Sequence, residues 1–141
     1  MHHYLLISLL TLLCEQMPLY GAETDTVPEW VVAGIAAVET GSSYRDGRLV
    51  EYHDRRDGGD GEVGPWQMGP AVLTDLGIDH LRARIRTEPV LAEKYARTWL
   101  LRCFQRTGNW PRAVAIYHTG PRGSVQRGRR YAERVQALGA P

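Results

Sequence analysis

The carboxyl group of Glu39 is the first candidate for chemistry in this sequence. Glu39 follows Val38 and lies four residues after Ile35, so it stands at the edge of the apolar face of a predicted helix, near the carboxyl end of that helix. Burial and the negative end of the helix dipole both raise the pKa of a carboxyl group. Glu39 therefore has the setting of a general acid that stays protonated near neutral pH. The alternative interpretation is a solvated glutamate at a helix end.

Two later segments carry side chains of the kinds that bind sugars. The run Gly64–Met68 joins a predicted turn to a short helix and places the indole of Trp66 beside the amide of Gln67. Tyr117 and His118 follow near the end of another predicted helix. Sugars stack their C–H faces on aromatic rings and accept hydrogen bonds from amides, so these side chains suit a glycan ligand. The alternative is a core tryptophan, a capping glutamine and two ordinary surface residues.

In this order, the three segments resemble the lysozyme-like lytic transglycosylases, the group of the soluble transglycosylases and goose-type lysozymes. That family combines a helix-ending Glu followed by Ser or Thr and Gly, a Gly-containing segment with a Gln, and a Tyr-Asn pair near a Gly. The corresponding segments here are Glu39-Thr40-Gly41, Gly64-Pro65-Trp66-Gln67-Met68 and Tyr117-His118-Thr119-Gly120. The resemblance spans residues 27 to 138. Two departures are Pro65-Trp66 in place of Leu-Met, and His118 in place of Asn.

The resemblance implies a reaction and a role for each residue. Glu39 would protonate the oxygen that joins N-acetylmuramic acid to N-acetylglucosamine, and the acetamido group of the substrate would stabilise the oxocarbenium ion. The Glu39 carboxylate would then take the proton of the muramyl C6 hydroxyl and give a 1,6-anhydro product. Tyr117 would also orient Glu39 or the sugar ring. The implied substrate-binding residues are Thr40, Trp66, Gln67, Tyr117 and His118. No cofactor or metal is expected.

Two alternatives to the transglycosylase remain open at this point. A lysozyme-type muramidase needs a positioned water, usually with a second carboxylate, which lies about 6.5 to 9.5 Å from the acid in inverting enzymes. The candidates for this second group are Glu51, Asp54, Asp57, Asp60 and Glu62. Asp57 and Asp60 have glycine neighbours, which favours a turn role for both. The other alternative is a non-catalytic peptidoglycan-binding module, in which Trp66 and His118 mark a degenerate site.

Residues 23–141 are expected to form a single domain, mainly α with a lysozyme-like α+β character. Apolar periodicity and Gly, Pro and Asn signals predict a first helix that ends at Glu39 or Thr40 and a last helix that begins at Ser124. The helices predicted between them are Pro70–Leu76, Ile78–Ile85, Thr87–Phe104 and Asn109–His118. The helical period disappears from Ser42 to Gly64, which predicts a small β-hairpin beside the cleft, with strands near Arg48–His53 and Glu62–Val63.

Residues 1–22 are predicted to be a signal peptide. Tyr4–Leu13 is apolar apart from Ser8 and Thr11, which is too short to span a bilayer as a helix of about 20 residues. The small residues at 21 and 22 offer a cleavage site. The expected location is therefore the periplasm or the exterior, with an uncleaved anchor as the alternative. Cleavage would leave Cys103 as one thiol on an apolar helix face, predicted to be packed and unreactive.

Charge is distributed unevenly in this 141-residue chain of net charge +1. Residues 23–93 carry 14 acidic and 7 basic side chains, whereas residues 94–141 carry 1 and 10. Because 16 of the 17 basic residues are Arg, forked contacts with carboxylates are favoured. Peptidoglycan glycan strands, which carry carboxylates, are the expected partner. Nucleic acid is not expected as a partner of an exported protein.

The chain is expected to act as a monomer. Its small size suggests an accessory protein that opens the wall locally for a secretion, conjugation or pilus apparatus. No residue identifies which apparatus this is.

Overall fold

The described part of the chain, residues 26–54 and 59–140 of a computed structural model, is mainly helical with a small antiparallel sheet. The helices are α1 (Glu29–Thr40), α2 (Pro70–Leu76), α3 (Arg82–Thr87), α4 (Pro89–Thr107), α5 (Trp110–Thr119) and α6 (Val125–Gly139). The strands are β1 (Ser43–Arg45) and β2 (Arg48–Glu51). The prediction of a mainly helical chain with a small β-hairpin is confirmed. The predicted signal peptide and Asp57 lie outside the described residues.

The helices share one apolar core. Helix α6 packs along both α1 and α5, and α4 packs on α5, so the four longest helices enclose the core between them. Ile35, Leu100, Val114 and Val135 are fully buried at its centre. Burial of a side chain of this size stabilises the fold by roughly 1.5–3 kcal/mol. Within the described ranges, no helix is long and apolar enough to cross a membrane.

Helix α1 ends where the sequence predicts. Gly41 adopts a left-handed conformation with φ 71°, and its N–H donates to the carbonyl of Ala37 at 3.0 Å. Glycine adopts this conformation without strain, which is why it commonly follows the last helical residue. This ending places Glu39 in the last turn of α1, next to the chain reversal into the hairpin.

The β-hairpin lies earlier in the chain than predicted. Strands β1 and β2 pair through a two-residue turn at Asp46-Gly47, and both turn residues have positive φ values, 51° and 73°. This pair is the preferred sequence for a tight hairpin turn, so the strands pair locally. The predicted second strand at Glu62–Val63 is therefore wrong. Val63 instead forms an isolated bridge with Met68.

Most helix boundaries follow their sequence signals. Helix α2 coincides with its prediction, and the side chains of Asn109 and Ser124 accept hydrogen bonds from the first turns of α5 and α6, as N-cap residues do. The helix predicted over Ile78–Ile85 is divided into a 3-10 turn, Asp79–Leu81, and α3.

Glycines allow α6 to approach its neighbours at backbone distance. A β-carbon on Gly34 would overlap the carbonyl oxygen of Val135, and one on Gly139 would overlap that of Trp30. On the other side of α6, a β-carbon on Gly128 would lie 2.9 Å from the β-carbon of Ala115. The position of α6 against α1 and α5 therefore depends on these missing side chains.

Gly34→Ala is expected to lower the free energy of unfolding by about 1–3 kcal/mol, the usual cost of overpacking. The reason is that the new methyl group forces α1 and α6 apart. Urea unfolding followed by circular dichroism measures this change. Gly69→Ala is the control, since no atom lies within 4 Å of the added carbon and φ is −74°. Ala is less favourable than Gly at this N-cap but also lowers the entropy of the unfolded chain, so the two effects oppose each other and the control is expected to change stability by less than about 0.5 kcal/mol. Equal losses in both variants would contradict the close-packing account.

Candidate active site

An open cleft of about 550 Å³ crosses the face of the molecule where the ends of α1 and α5 meet α2 and the loop before α2. Four of the side chains singled out in the sequence line it: Glu39, Gln67, Tyr117 and His118. These residues are far apart in the chain, and the fold brings them to one surface. Charged and polar side chains make up much of its lining, which suits a polar ligand.

Glu39 is held in the wall of the cleft by the last helix. The hydroxyl of Tyr131 donates a hydrogen bond to Oε1 of Glu39 at 2.6 Å. The Nδ1 atom of His118 lies 3.9 Å from the same oxygen, which is too far for a hydrogen bond. The rings of His118 and Tyr131 stack with centroids 4.1 Å apart and planes 4° from parallel. With 20% of its side chain exposed, Glu39 is enclosed but still reaches the cleft.

The two ring side chains beside Glu39, those of Tyr131 and His118, are electrically neutral. Burial and the negative charge of Glu39 raise the pKa of Tyr131 well above its ordinary value, so its hydroxyl remains a donor at all physiological pH values. Burial and the charges of Arg127 and Arg134 lower the pKa of His118. Because the ordinary value is about 6.5, the imidazole is neutral near pH 7. His118 is therefore a neutral ring beside the carboxyl group and not its counter-ion.

Gln67 enters the cleft from a strained turn. Its backbone has φ 46°, a left-handed conformation that is uncommon for residues other than glycine. The side-chain Nε2 donates to the carbonyl of Gly64 at 2.9 Å, which fixes the direction of the amide. Strained backbone at a residue that lines a cleft is common at functional sites.

Tyr117 and Thr40 hold this turn in place through hydrogen bonds to its carbonyl groups. The hydroxyl of Tyr117 donates to the carbonyl of Trp66 at 2.6 Å, and the hydroxyl of Thr40 lies 3.1 Å from the carbonyl of Pro65. Thr40 also contacts Ser42 and the carbonyl of Ala36, and it does not line the cleft. The predicted contact between Thr40 and a substrate is therefore corrected to a role in fastening the turn. Tyr117 borders the cleft, but its hydroxyl holds the turn and does not bond Glu39.

Trp66 does not contact the cleft. Its side chain has 0% exposure, and its indole N–H donates to the carbonyl of Val32 at 3.0 Å inside the core. The prediction that Trp66 binds a sugar is wrong, because no face of the ring is open to a ligand. Trp66 instead anchors the turn that carries Gln67 to helix α1.

Two of the candidate second carboxylates line the cleft with Glu39, namely Asp60 and Glu62. Glu51 is exposed on β2 and pairs with His53 at 3.4 Å, away from the cleft. Asp54 is structural, since it accepts the N–H of Gly64 at 2.8 Å and pairs with Arg86 at 3.0 Å.

Three residues of the site were not predicted from the sequence. Tyr131, whose hydroxyl lies 2.6 Å from Oε1 of Glu39, was not among the candidate residues. Trp99 lines the cleft in place of Trp66 and stacks under the guanidinium of Arg106, 5.7 Å from the ring centre. Asp75 adds a carboxylate from α2. Its position three residues after Val72, another cleft residue, is the signal that could have found it.

Cys103 lies under the cleft region and does not reach it. The side chain is 1% exposed, and burial raises the pKa of its thiol to about 11. A thiol with this pKa is a poor nucleophile. The prediction of a packed, unreactive thiol is confirmed. Within residues 26–54 and 59–140, no three His, Cys, Asp or Glu side chains form a cluster that could hold a metal ion.

Comparison with known proteins found no matching family model, no matching curated protein and no matching solved structure for this chain. The function of the cleft must therefore be inferred from its own geometry and from the motifs that it contains.

The pKa of His118 is expected to lie below the ordinary value of about 6.5. Replacement of one nearby positive charge, as in Arg134→Gln, is expected to raise it, because less repulsion then opposes protonation. An NMR titration of the imidazole carbon-bound protons measures both values. Arg129→Gln is the matched control on the same helix and is expected to leave the pKa unchanged. A pKa above the ordinary value in the unmodified protein would show that the imidazole pairs with Glu39.

Proposed function

We propose that this protein is a peptidoglycan lytic transglycosylase with a lysozyme-like fold and that Glu39 is its general acid and base. The observation that carries the proposal is the placement of Glu39 in the wall of an open cleft, with Oε1 held by Tyr131. Gln67, Tyr117 and His118, the other parts of the sequence pattern, border the same cleft.

In the first step, Glu39 delivers a proton to the glycosidic oxygen. The hydroxyl of Tyr131 donates to Oε1, so the proton to be transferred resides on Oε2. The bond from the muramyl C1 to this oxygen breaks, the leaving sugar keeps the bonding electrons, and the neighbouring acetamido oxygen stabilises the cation at C1. Glu39 is left as a carboxylate, and the hydrogen bond from Tyr131 becomes charge-assisted and stronger.

In the second step, the same carboxylate acts as a base. It accepts the proton of the muramyl C6 hydroxyl while the C6 oxygen bonds to C1, which closes the 1,6-anhydro ring and restores protonated Glu39. No water is consumed. Tyr131 and the stacked ring of His118 keep the carboxyl group in one orientation through both steps, so one group can serve as acid and then as base.

Hydrolysis is the second candidate reaction. Asp60 and Glu62 stand in the same cleft as Glu39, and a carboxylate there is what a muramidase uses to activate water. Both residues follow the 55–58 segment, in the loop that precedes α2. The products distinguish the two reactions, since hydrolysis leaves a reducing muramic acid and transglycosylation leaves the anhydro form.

The cellular role that we propose is local opening of the wall by an exported enzyme. The predicted signal peptide supports this role. A secretion, conjugation or pilus apparatus that must cross the wall is the kind of partner that requires such an opening.

Glu39→Gln is expected to reduce the release of fragments from purified sacculi by about 10²–10⁴-fold, the usual contribution of general acid–base catalysis. The amide cannot donate a proton in the same way and cannot act as the base. Mass spectrometry of the digest measures the loss and identifies anhydromuramyl products from the unmodified protein. Glu29→Gln, an exposed change at the start of the same helix, is the control and is expected to retain full activity.

The results of this experiment separate the candidate functions. Reducing-end products that disappear with Asp60→Asn or Glu62→Gln would establish a muramidase. Full activity of Glu39→Gln would reject Glu39 as the acid, and binding to sacculi without any released fragment would indicate a non-catalytic module.

Tyr131→Phe is expected to lower kcat roughly 10- to 100-fold with little change in KM, because a hydrogen bond to a charged group contributes about 1.5–3 kcal/mol. The phenyl ring preserves the stacking on His118, so the change isolates the hydroxyl. Steady-state kinetics on glycan strands provides both constants. Tyr44→Phe is a matched control, because the Tyr44 hydroxyl also donates to a carboxylate, Glu93, at 2.8 Å but outside the cleft. Equal losses of kcat in both variants would contradict a positioning role for Tyr131.

A further inference from the structure

A second pocket, of about 350 Å³, opens on the side of α6 next to the cleft. Three guanidinium groups border it, those of Arg127, Arg130 and Arg134, together with the rings of His118 and Tyr131. We refer to it as the arginine pocket. Its three arginines lie at intervals of three and four residues on one face of the helix, so their charges converge on one space.

The arginines of this pocket differ from those that form ion pairs elsewhere in the fold. Arg84, Arg86 and Arg97 each pair with a carboxylate at 2.7–3.0 Å. In the described ranges, no acidic side chain pairs with Arg127, Arg130 or Arg134. Like charges three or four residues apart on a helix destabilise it. Three like charges that border one pocket without an acidic partner among the described residues suit an anionic ligand.

The arginine pocket and the cleft share walls. His118 and Arg127 border both spaces, and Tyr131 borders the pocket while its hydroxyl reaches Glu39. The field of the arginines reaches this boundary, since Arg127 and Arg134 act on the imidazole of His118. An anion bound in the pocket would therefore be separated from the carboxyl group of Glu39 by the ring of Tyr131.

We propose that the arginine pocket binds a carboxylate of the peptidoglycan strand whose glycosidic bond lies at Glu39. This inference rests on the proposed function and adds a determinant of substrate choice. Planar guanidinium groups match carboxylates in forked geometry, and a strand of N-acetylated sugars with peptide stems offers carboxylates as its anions. The carboxylate has two sources: the peptide stem, or the lactyl group of a muramic acid that has lost its stem.

Binding measurements with three ligands of equal length test the proposal. The ligands are glycan strands with peptide stems, strands stripped of their stems by an amidase, and a chitin oligosaccharide, which has no carboxylate. All proteins carry Glu39→Gln, which keeps the strands intact. The test variant adds Arg130→Gln and Arg134→Gln, and omits Arg127 because it also borders the cleft. The control adds Arg129→Gln, an arginine on the same helix that lies outside the pocket and 3.7 Å from Glu133.

At low salt, the protein with intact arginines is expected to bind either the stem-bearing or the stripped strand about tenfold more tightly than chitin. Two or three charge-assisted contacts at an exposed site give a difference of this size. Preference for stem-bearing strands identifies the stem as the source, and preference for stripped strands identifies the lactyl group. The test variant is expected to lose this preference, and its affinity to become less sensitive to salt. The control is expected to keep both the preference and the salt sensitivity of the affinity.

Each contrary result overturns the proposal. These results are equal affinity for all three ligands, an unchanged preference in the test variant, an equal loss in the control, or no binding to any strand. Thermal unfolding by circular dichroism verifies that the test variant is folded, as expected for two exposed side chains. Failure of the proposed function is distinguishable, because it is measured by cleavage: sacculi digested equally well with and without Glu39 would reject that function, whatever the affinities are.

Discussion

The hydrogen bond from Tyr131 to Glu39 is the interaction on which the candidate site depends. It joins the last turn of α1 to the middle of α6, across 92 positions of sequence. The bond can form only because the two helices touch at backbone distance, which requires glycine at 34 and at 139. Any side chain at these positions would move the phenol away from the carboxyl group. The packing of the core and the chemistry of the cleft are therefore set by the same pair of helices.

The two faces of helix α6 have opposite properties, one apolar and one basic. Its inner face presents Tyr131 and Val135 to the core, and its outer face presents the arginines of the pocket. The rings of His118 and Tyr131 border the arginine pocket and also lie beside Glu39, and Arg127 borders the cleft as well. In the proposed reaction Glu39 must lose and regain a proton beside this basic surface, and the two rings that it shares with the pocket are themselves neutral.

Capping and turn residues in the sequence predicted the helix boundaries that such residues determine. Glycine after α1, the Pro70 start of α2 and the Asn109 cap of α5 identified their helices and placed Glu39 at a helix end. The hairpin was misplaced although Asp46-Gly47 carries its turn signal. Long-range packing could not be predicted in the same way. Sequence alone does not show whether Trp66 meets the core or the wall of a cleft, and it does not show that the hydroxyl of Tyr131, whose ring is buried, reaches Glu39.

The histidine that replaces the asparagine of the resembling family can be understood from the same geometry. A protonated imidazole 3.9 Å from Glu39 would stabilise the carboxylate and work against proton donation. Burial and the neighbouring arginines oppose that protonation, so His118 acts as a flat neutral surface that fixes the Tyr131 ring. The hydrogen-bond donor to the acid is then the phenol, whose proton is not lost in the physiological range. Histidine at 118 is thus compatible with the proposed acid role of Glu39, because burial and the arginines of α6 both lower the pKa of the imidazole.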